Sequence, residues 1–164
     1  MSATILQIHV SQGGIPKRPI AMGIVTSLGL VGDSHAHPQI HGGPLKALLL
    51  LASESLEELM QQGYPLYPGA LGENITTQGL DRRTVRLGQR YRIGEIEVEI
   101  TKVRQPCDTL RPYGVGIQRA VYDPEVKAGN YASPRWGLAG FYTSVVRPGT
   151  IHPGDAIRLI QEQA

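Results

Sequence analysis

Apolar and polar positions alternate along residues 4–10, and the same period of two returns over 90–93 and over Ile96-Glu97-Val98-Glu99-Ile100-Thr101-Lys102-Val103. That period places successive side chains on opposite faces, so each run predicts a strand with one face toward a core. In the last run the apolar positions are even through Ile100 and then slip by one to reach Val103, which predicts a bulge just before Pro106-Cys107. Shorter β signals lie at 21–26, 74–77, 84–87, 141–146 and 155–160, the last two flanking the turn Arg147-Pro148-Gly149. Gly13-Gly14 with Pro16 breaks the first strand, and Gly29-Leu30-Val31-Gly32-Asp33 reads as a loop. Leu45 to Ala52 is almost wholly apolar, a pattern that buried strands and buried helices share. It reads as a strand, followed by a helix over about 54–62 with Ser55 and Glu58 as a capping box and Gly63 as its stop. Residues 115–122 predict a further short helix, and 125–138 a loop rich in Gly, Pro and Ser.

Strands interrupted by brief helices, without a βαβ rhythm, internal repeat or composition break, predict one mainly-β, β-barrel-like domain over residues 1–164. That length buries a core without disulfides or a structural metal. Twenty glycines and twelve prolines, scattered through the chain, fit many short elements joined by tight turns. A net charge of +2 is too weak to argue for nucleic acid, and 5% aromatic residues offer few platforms for stacked bases. Arginine makes up twelve of the sixteen basic residues, a bias toward planar contacts with phosphate or carboxylate. The longest apolar run, Ala47 to Ala52, is far short of a membrane span, and Met1 to Leu6 lacks the pattern of a signal peptide. The expectation is a cytoplasmic protein with neither nucleic acid nor membrane as partner, whose thiol stays reduced.

That thiol is the single cysteine, Cys107. A lone cysteine is a buried filler, a nucleophile, a sulfur carrier or a soft-metal ligand. Arg104 three positions before it and Arg111 four after it favour a thiolate, and Pro106 ends the strand in front of it. His35, His37 and His41 fall within seven residues, and with Asp33 they present zinc-ligand chemistry; the competing reading is a polar loop whose histidines fix its own shape. Glu73, Asn74 and Thr76 supply polar handles at a strand start, serving either a ligand or the turn's own backbone. Lys17 and Arg18, adjacent cations between Pro16 and Pro19, suit a phosphate or a solvated surface. No Gly-rich segment carries the Gly-Lys-Ser/Thr of a phosphate-binding P-loop.

Taken in order, Lys17 with Pro19, Gly29-Leu30-Val31-Gly32-Asp33-Ser34-His35, His41-Gly42-Gly43, Pro68-Gly69, Gly72-Glu73-Asn74-Ile75-Thr76, Pro106-Cys107, Gly140-Phe141-Tyr142, Gly149 and Pro153-Gly154-Asp155 resemble the MOSC domain. This is the family related to the C-terminal domain of molybdenum-cofactor sulfurases, and the chain is similar to its small stand-alone bacterial members. The resemblance implies a strand-rich barrel with a pocket for the molybdenum cofactor (molybdopterin) or a sulfur-bearing intermediate, and Cys107 as ligand to molybdenum. Pyridoxal phosphate binding is also associated with the family at large. Lys17, Arg18 and Arg104 are the candidates for the pterin's phosphate, with Asp33 and Asn74 orienting the metal's ligands or the pterin edge. Of these, Cys107 and Lys17 follow from the resemblance and the others from position and chemistry. Larger relatives carry additional β-rich or ferredoxin modules, which this sequence lacks. A reductase acting on N-hydroxylated small molecules would therefore need a separate electron donor. The alternatives are a sulfur carrier that receives sulfane sulfur from a cysteine desulfurase as a persulfide on Cys107 and delivers it to a metal-sulfur centre or cofactor, and a non-enzymatic β domain that binds a small ligand.

Overall fold

The computed structural model describes residues 2–34 and 43–162. The three alternating runs form β1 (Ala3–Val10), β7 (Arg90–Ile93) and β8 (Ile96–Val103). With β5 (Leu48–Ala52), β6 (Ile75–Gln78), β9 (Phe141–Arg147) and β11 (Ala156–Gln161) they close a seven-strand barrel in the order β11-β7-β8-β9-β5-β6-β1. Closure comes from Ala3 pairing with Ile157 and Thr4 with Ala156, which removes the open edges a sheet would otherwise expose. A short β2 (Arg18–Ile20) extends β1 beyond the barrel. A second sheet is built from β3 (Gly23–Thr26), β4 (Gly29–Leu30) and β10 (Gly149–Ile151).

One neighbouring pair departs from the antiparallel pattern. β5 and β6 run parallel, Leu50 opposite Ile75 and Ala52 opposite Thr77, joined by a crossover that contains α1 (Ser53–Gln61). The barrel therefore holds a single βαβ unit where the sequence pattern predicts none. The crossover explains why β5 is apolar throughout. Leu48 and Leu50 enter the barrel core with Ile5, Ile8 and Ile75, whereas Leu51 points the other way into a second core. There it meets Leu56 and Leu59 of α1, Leu71, Leu110, and Ile117 of α2 (Ile117–Val121). A strand covered on both faces loses its alternation.

The bulge in β8 is present: the register shifts between Ile100, opposite Thr143, and Lys102, opposite Tyr142. Thr101 is the extra residue, and its hydroxyl donates to the Leu45 carbonyl. The shift re-aims the strand end toward Arg104 and Cys107.

Three local expectations are corrected. Residues 84–87 form no strand; a 3-10 turn, Arg82–Thr84, is capped by the Asp81 side chain instead. The Val85 carbonyl accepts from the Trp136 indole at 2.8 Å, and the Arg86 amide is taken by the Gln89 side chain at 2.8 Å, which leaves these groups unavailable for a ladder. The Ser55–Glu58 capping box does not form, because β5 runs straight into α1 with Ala52 at the N-cap. Ser55 is buried inside the helix and Glu58 pairs with Arg82 at 3.1 Å. The 125–138 loop is preceded and begun by a one-turn α3 (Pro124–Lys127), with Asp123 accepting from the Val126 amide at 2.8 Å. No described helix is long and apolar enough to cross a membrane.

Candidate functional site

Three sequence candidates that lie far apart along the chain meet in one network. Lys17 Nζ donates to both carboxylate oxygens of Asp33, at 2.7 and 2.6 Å, and the two side chains are 7% and 4% exposed. Asp33 also accepts from the Ser11 amide at 2.9 Å and from Asn74 Nδ2 at 2.9 Å. Asn74 in turn accepts from the Leu49 amide at 3.0 Å, so it ties the loop holding Asp33 to the β5–β6 seam. The Lys17 charge is thus matched by a buried carboxylate, and the trio acts as a latch between the loops. Arg18, next in sequence, is exposed on β2. His35, His37 and His41 lie outside the described residues. Among the described residues no cluster of three or more His, Cys, Asp or Glu is placed to hold a metal.

Behind the latch lies a second polar group. The Glu73 carboxyl is fully buried, with Oε2 accepting from the Gly69 amide at 2.9 Å and the Thr76 hydroxyl at 2.7 Å. It therefore satisfies its own turn, the backbone alternative that its sequence context left open. Its other oxygen, Oε1, has no partner among the described residues. Burial pushes the Glu73 acid above the usual carboxylate range, against the pull of those two donors and of Arg104. His9, fully buried on β1, holds Gln7 Oε1 through Nε2 at 2.9 Å. Burial pushes its pKa down to about 4, with Lys17 adding to the effect, so the ring is neutral at neutral pH.

Arg104 follows β8 and is 4% exposed. Its amide donates to the Gly140 carbonyl at 2.9 Å, its Nη1 reaches Ala139 O at 3.4 Å, and its Nε has no partner among the described residues. Tyr142, on β9, shares a hydrogen bond with the guanidinium and lies within electrostatic range of Cys107; burial raises the pKa of its phenol. Lys46 stands over the Tyr142 ring, 5.2 Å from its centroid. Cys107 occupies the turn after β8, half-buried, with Sγ 2.8 Å from the Thr109 hydroxyl. Arg111 is exposed.

The structure thus joins Lys17, Asp33 and Asn74, and gathers Arg104 with Glu73, Tyr142 and Cys107. His9, Thr109 and Tyr142 are the neighbours that sequence reasoning did not single out. Tyr142 lies within a segment that carries the resemblance, whereas His9 occupies an ordinary polar position of an alternating strand. A cleft of about 580 Å³ lies elsewhere, lined by Ala52, Glu54, Glu58, Asp81, Arg82 and Pro134 among others. The Arg82 guanidinium there is occupied by Glu58 and by the Pro134 and Trp136 carbonyls.

The MOSC domain pattern matches residues 37–158, spanning β5, the Gly69–Asn74 turn, Arg104 and Cys107. The chain belongs to the MOSC domain family. It is 31% identical over 151 residues to the uncharacterized protein YflK of Bacillus subtilis, covering 90% of this chain and 63% of YflK. A protein of Gibberella moniliformis named Reductase is 28% identical over 144 residues, which cover 83% of this chain and 23% of that protein. The crystal structure of YiiM from Geobacillus stearothermophilus superposes with a TM-score of 0.70 at 28% identity, covering 97% of this chain and 75% of that one. The chain spans less than two thirds of YflK and about a quarter of the fungal protein. MOSC domains are associated in general with the molybdenum cofactor.

Proposed function

We propose that this MOSC domain binds the molybdenum cofactor and serves as the cofactor-carrying part of a reductase for N-hydroxylated small molecules. The observation that carries the reading is that the chain's one thiol and a buried arginine with one unmatched donor both lie within electrostatic range of Tyr142 at the end of β8. Cys107 is half-buried and hydrogen-bonded to Thr109, and Arg104 is buried with Nε unmatched. The residues fit the group. A cysteine thiolate is the soft ligand suited to a metal already held by sulfur, and a lone protein ligand suffices where the cofactor supplies the rest. An arginine with a free donor is suited to the anionic end of such a cofactor. Cys107 would hold the metal, with Thr109 positioning Sγ, and Arg104 with Tyr142 would hold the anionic part. When bound, the group supplies the two-electron redox chemistry. Electrons would come from a separate donor.

The Lys17–Asp33–Asn74 latch has a different part in this reading. With its charges matched internally it shapes the loops around the site, and Arg18 on the outer strand is left as a peripheral cation. The relative named Reductase supports the reaction class. A second reading, sulfur carriage, draws on the same exposure of Cys107: a half-buried thiol hydrogen-bonded to a hydroxyl also suits a persulfide.

The test is reduction of an N-hydroxylated aromatic amine by protein from a cofactor-producing host, with a low-potential dye as donor. Turnover by the wild type and its loss in Cys107→Ser is the expected result. Absence of turnover, together with a sulfur adduct on Cys107 by intact mass after incubation with a cysteine desulfurase, would move the assignment to sulfur carriage.

A further inference from the structure

Four of the twelve arginines stand together on the outer wall of the barrel, and none of them has a part in the site. Ile96, Val98 and Ile100 of β8 enter the core, so Glu97 and Glu99 point outward, and the residues paired with them share that outer face. In one row Arg158 of β11, Arg92 of β7, Glu97 of β8 and Arg147 of β9 lie side by side, spanning about 14 Å. Arg90, Glu99 and Ser144 make the next row. Beyond the bulge Lys102 lies opposite Tyr142, with Lys46 over the Tyr142 ring at 5.2 Å. Leu45, 68% exposed, sits at the bulge, where its carbonyl accepts from Thr101.

Six cations thus share this face with two carboxylates, whereas the whole chain carries only +2, so the rest of the chain is net negative. Glu99 pairs with Arg90 at 3.0 Å and Glu97 with Arg92 at 3.8 Å; both carboxylates are 25% exposed, their arginines 34% and 46%. Arg147, Arg158 and Lys102 are exposed and make no ion pair among the described residues. Arg158 directly opposite Arg92 sets like charges across a strand pair, which weakens the sheet, so stability does not account for the row. The face also leads to the site, because Tyr142 shares a hydrogen bond with Arg104 and lies within electrostatic range of Cys107.

We propose that this wall is the docking surface of an acidic protein that delivers electrons to the Cys107 site. The identity of the occupant rests on the reductase reading above, in which reduction of an N-hydroxyl group to an amine and water takes two electrons and two protons and the electrons come from a separate donor. Complementary charge steers such a partner and fixes its register, and the exposed Leu45 and Val146 offer apolar contact within the patch. A second copy of the chain does not fit. A two-fold axis along the strands sets Arg158 of one copy against Arg147 of the other, and an axis across them sets arginine against arginine on β7. A nucleic-acid backbone fits less well, since Glu97 and Glu99 line the middle of the wall and would face its phosphates.

Calorimetric titration of the full chain with a plant-type two-iron ferredoxin, a small acidic one-electron carrier, reads docking at about 20 and about 200 mM salt. The expected result is one saturable site whose affinity falls at least about tenfold between the two. The triple variant Lys102→Glu, Arg147→Glu, Arg158→Glu reverses three charges that no described carboxylate pairs with, and it weakens binding at low salt at least about tenfold. The same three positions changed to Gln, the safeguard against a misfolded Glu variant, weaken it severalfold, and Lys127→Glu on α3 binds as the wild type does. Turnover of an N-hydroxylated aromatic amine at subsaturating reduced ferredoxin falls in step with docking, whereas turnover with a small-molecule dye is unchanged in the triple variant. The proposal is overturned by binding that ignores salt or the charge reversal, by the absence of saturable binding, or by duplex DNA that binds the same wall more tightly than ferredoxin. A wild type without dye turnover strikes the reductase reading instead, and with it the donor as occupant, while the titrations still decide whether the wall takes an acidic protein.

Discussion

Replacing Asp33 with Asn tests the latch that organises the loops of the site. Asp33 accepts from Lys17 through both oxygens, from the Ser11 amide and from Asn74 Nδ2, and both charged side chains are almost fully buried. The substitution keeps the shape but removes the charge that matches Lys17, and it sets an amide donor against Asn74 Nδ2 or the Ser11 amide. Breaking a buried pair from one side costs about 3–5 kcal/mol, because an uncompensated charge is left in the interior. Lys17→Met removes the cation but leaves the carboxylate with two neutral donors, so its cost is smaller, about 1–3 kcal/mol. The double variant has no charge left to strand, and the two effects are expected to couple by about 2 kcal/mol. Urea unfolding at neutral pH, with the denaturant slope checked for constancy, gives the three values. Additive costs, or an Asp33→Asn cost below about 1 kcal/mol, would refute a matched buried pair and return Lys17 to the role of a free cofactor cation.

Three further outcomes follow from particular side chains. His9 has its pKa lowered from 6.5 to about 4, so the unfolded chain binds the extra proton between these values and stability falls as the pH drops through that window. The loss amounts to about 3 kcal/mol, and unfolding free energies measured against pH should show it in the wild type and not in His9→Gln. Gly69 has φ +91° and a Cβ there would sit 2.4 Å from the Lys17 carbonyl oxygen. Gly69→Ala is therefore expected to cost more than about 2 kcal/mol by denaturant unfolding, whereas Gly63→Ala, with φ +99° but open space around it, costs only about 1 kcal/mol. Trp136→Phe removes the indole donor from the Val85 carbonyl, and a loss of about 1–3 kcal/mol by thermal unfolding is expected.

The barrel was legible where one face of a strand is wet. β1, β7 and β8 alternate, and even the bulge ahead of Cys107 shows as a slip in the pattern. It was less legible where both faces are covered: β5 carries no alternation, and nothing local marks its parallel pairing with β6 across α1. Residues 84–87 have strand propensity, but their peptide groups are taken by Trp136 and Gln89, and a contact 51 residues away leaves no local signal. The site shows the same division. Cys107, Lys17, Asp33, Asn74 and Arg104 stand out as chemical types in Gly- and Pro-bounded segments. That Lys17 and Asn74 converge on Asp33, from 16 and 41 residues away, depends on how the loops meet over the barrel. The same holds for Glu73 and Arg104, whose unmatched atoms become visible only once burial is known.

Metal content tests most directly the proposed role of Cys107 as protein ligand of a molybdenum cofactor. Wild-type protein, Cys107→Ser and Thr109→Val would be purified without oxygen from a host that makes the cofactor, and molybdenum and pterin measured per chain. Close to one molybdenum and one pterin per wild-type chain is expected, with the metal lost in Cys107→Ser and retained in part in Thr109→Val. A folded wild-type chain without molybdenum, or a Cys107→Ser variant that holds as much as the wild type, would contradict it.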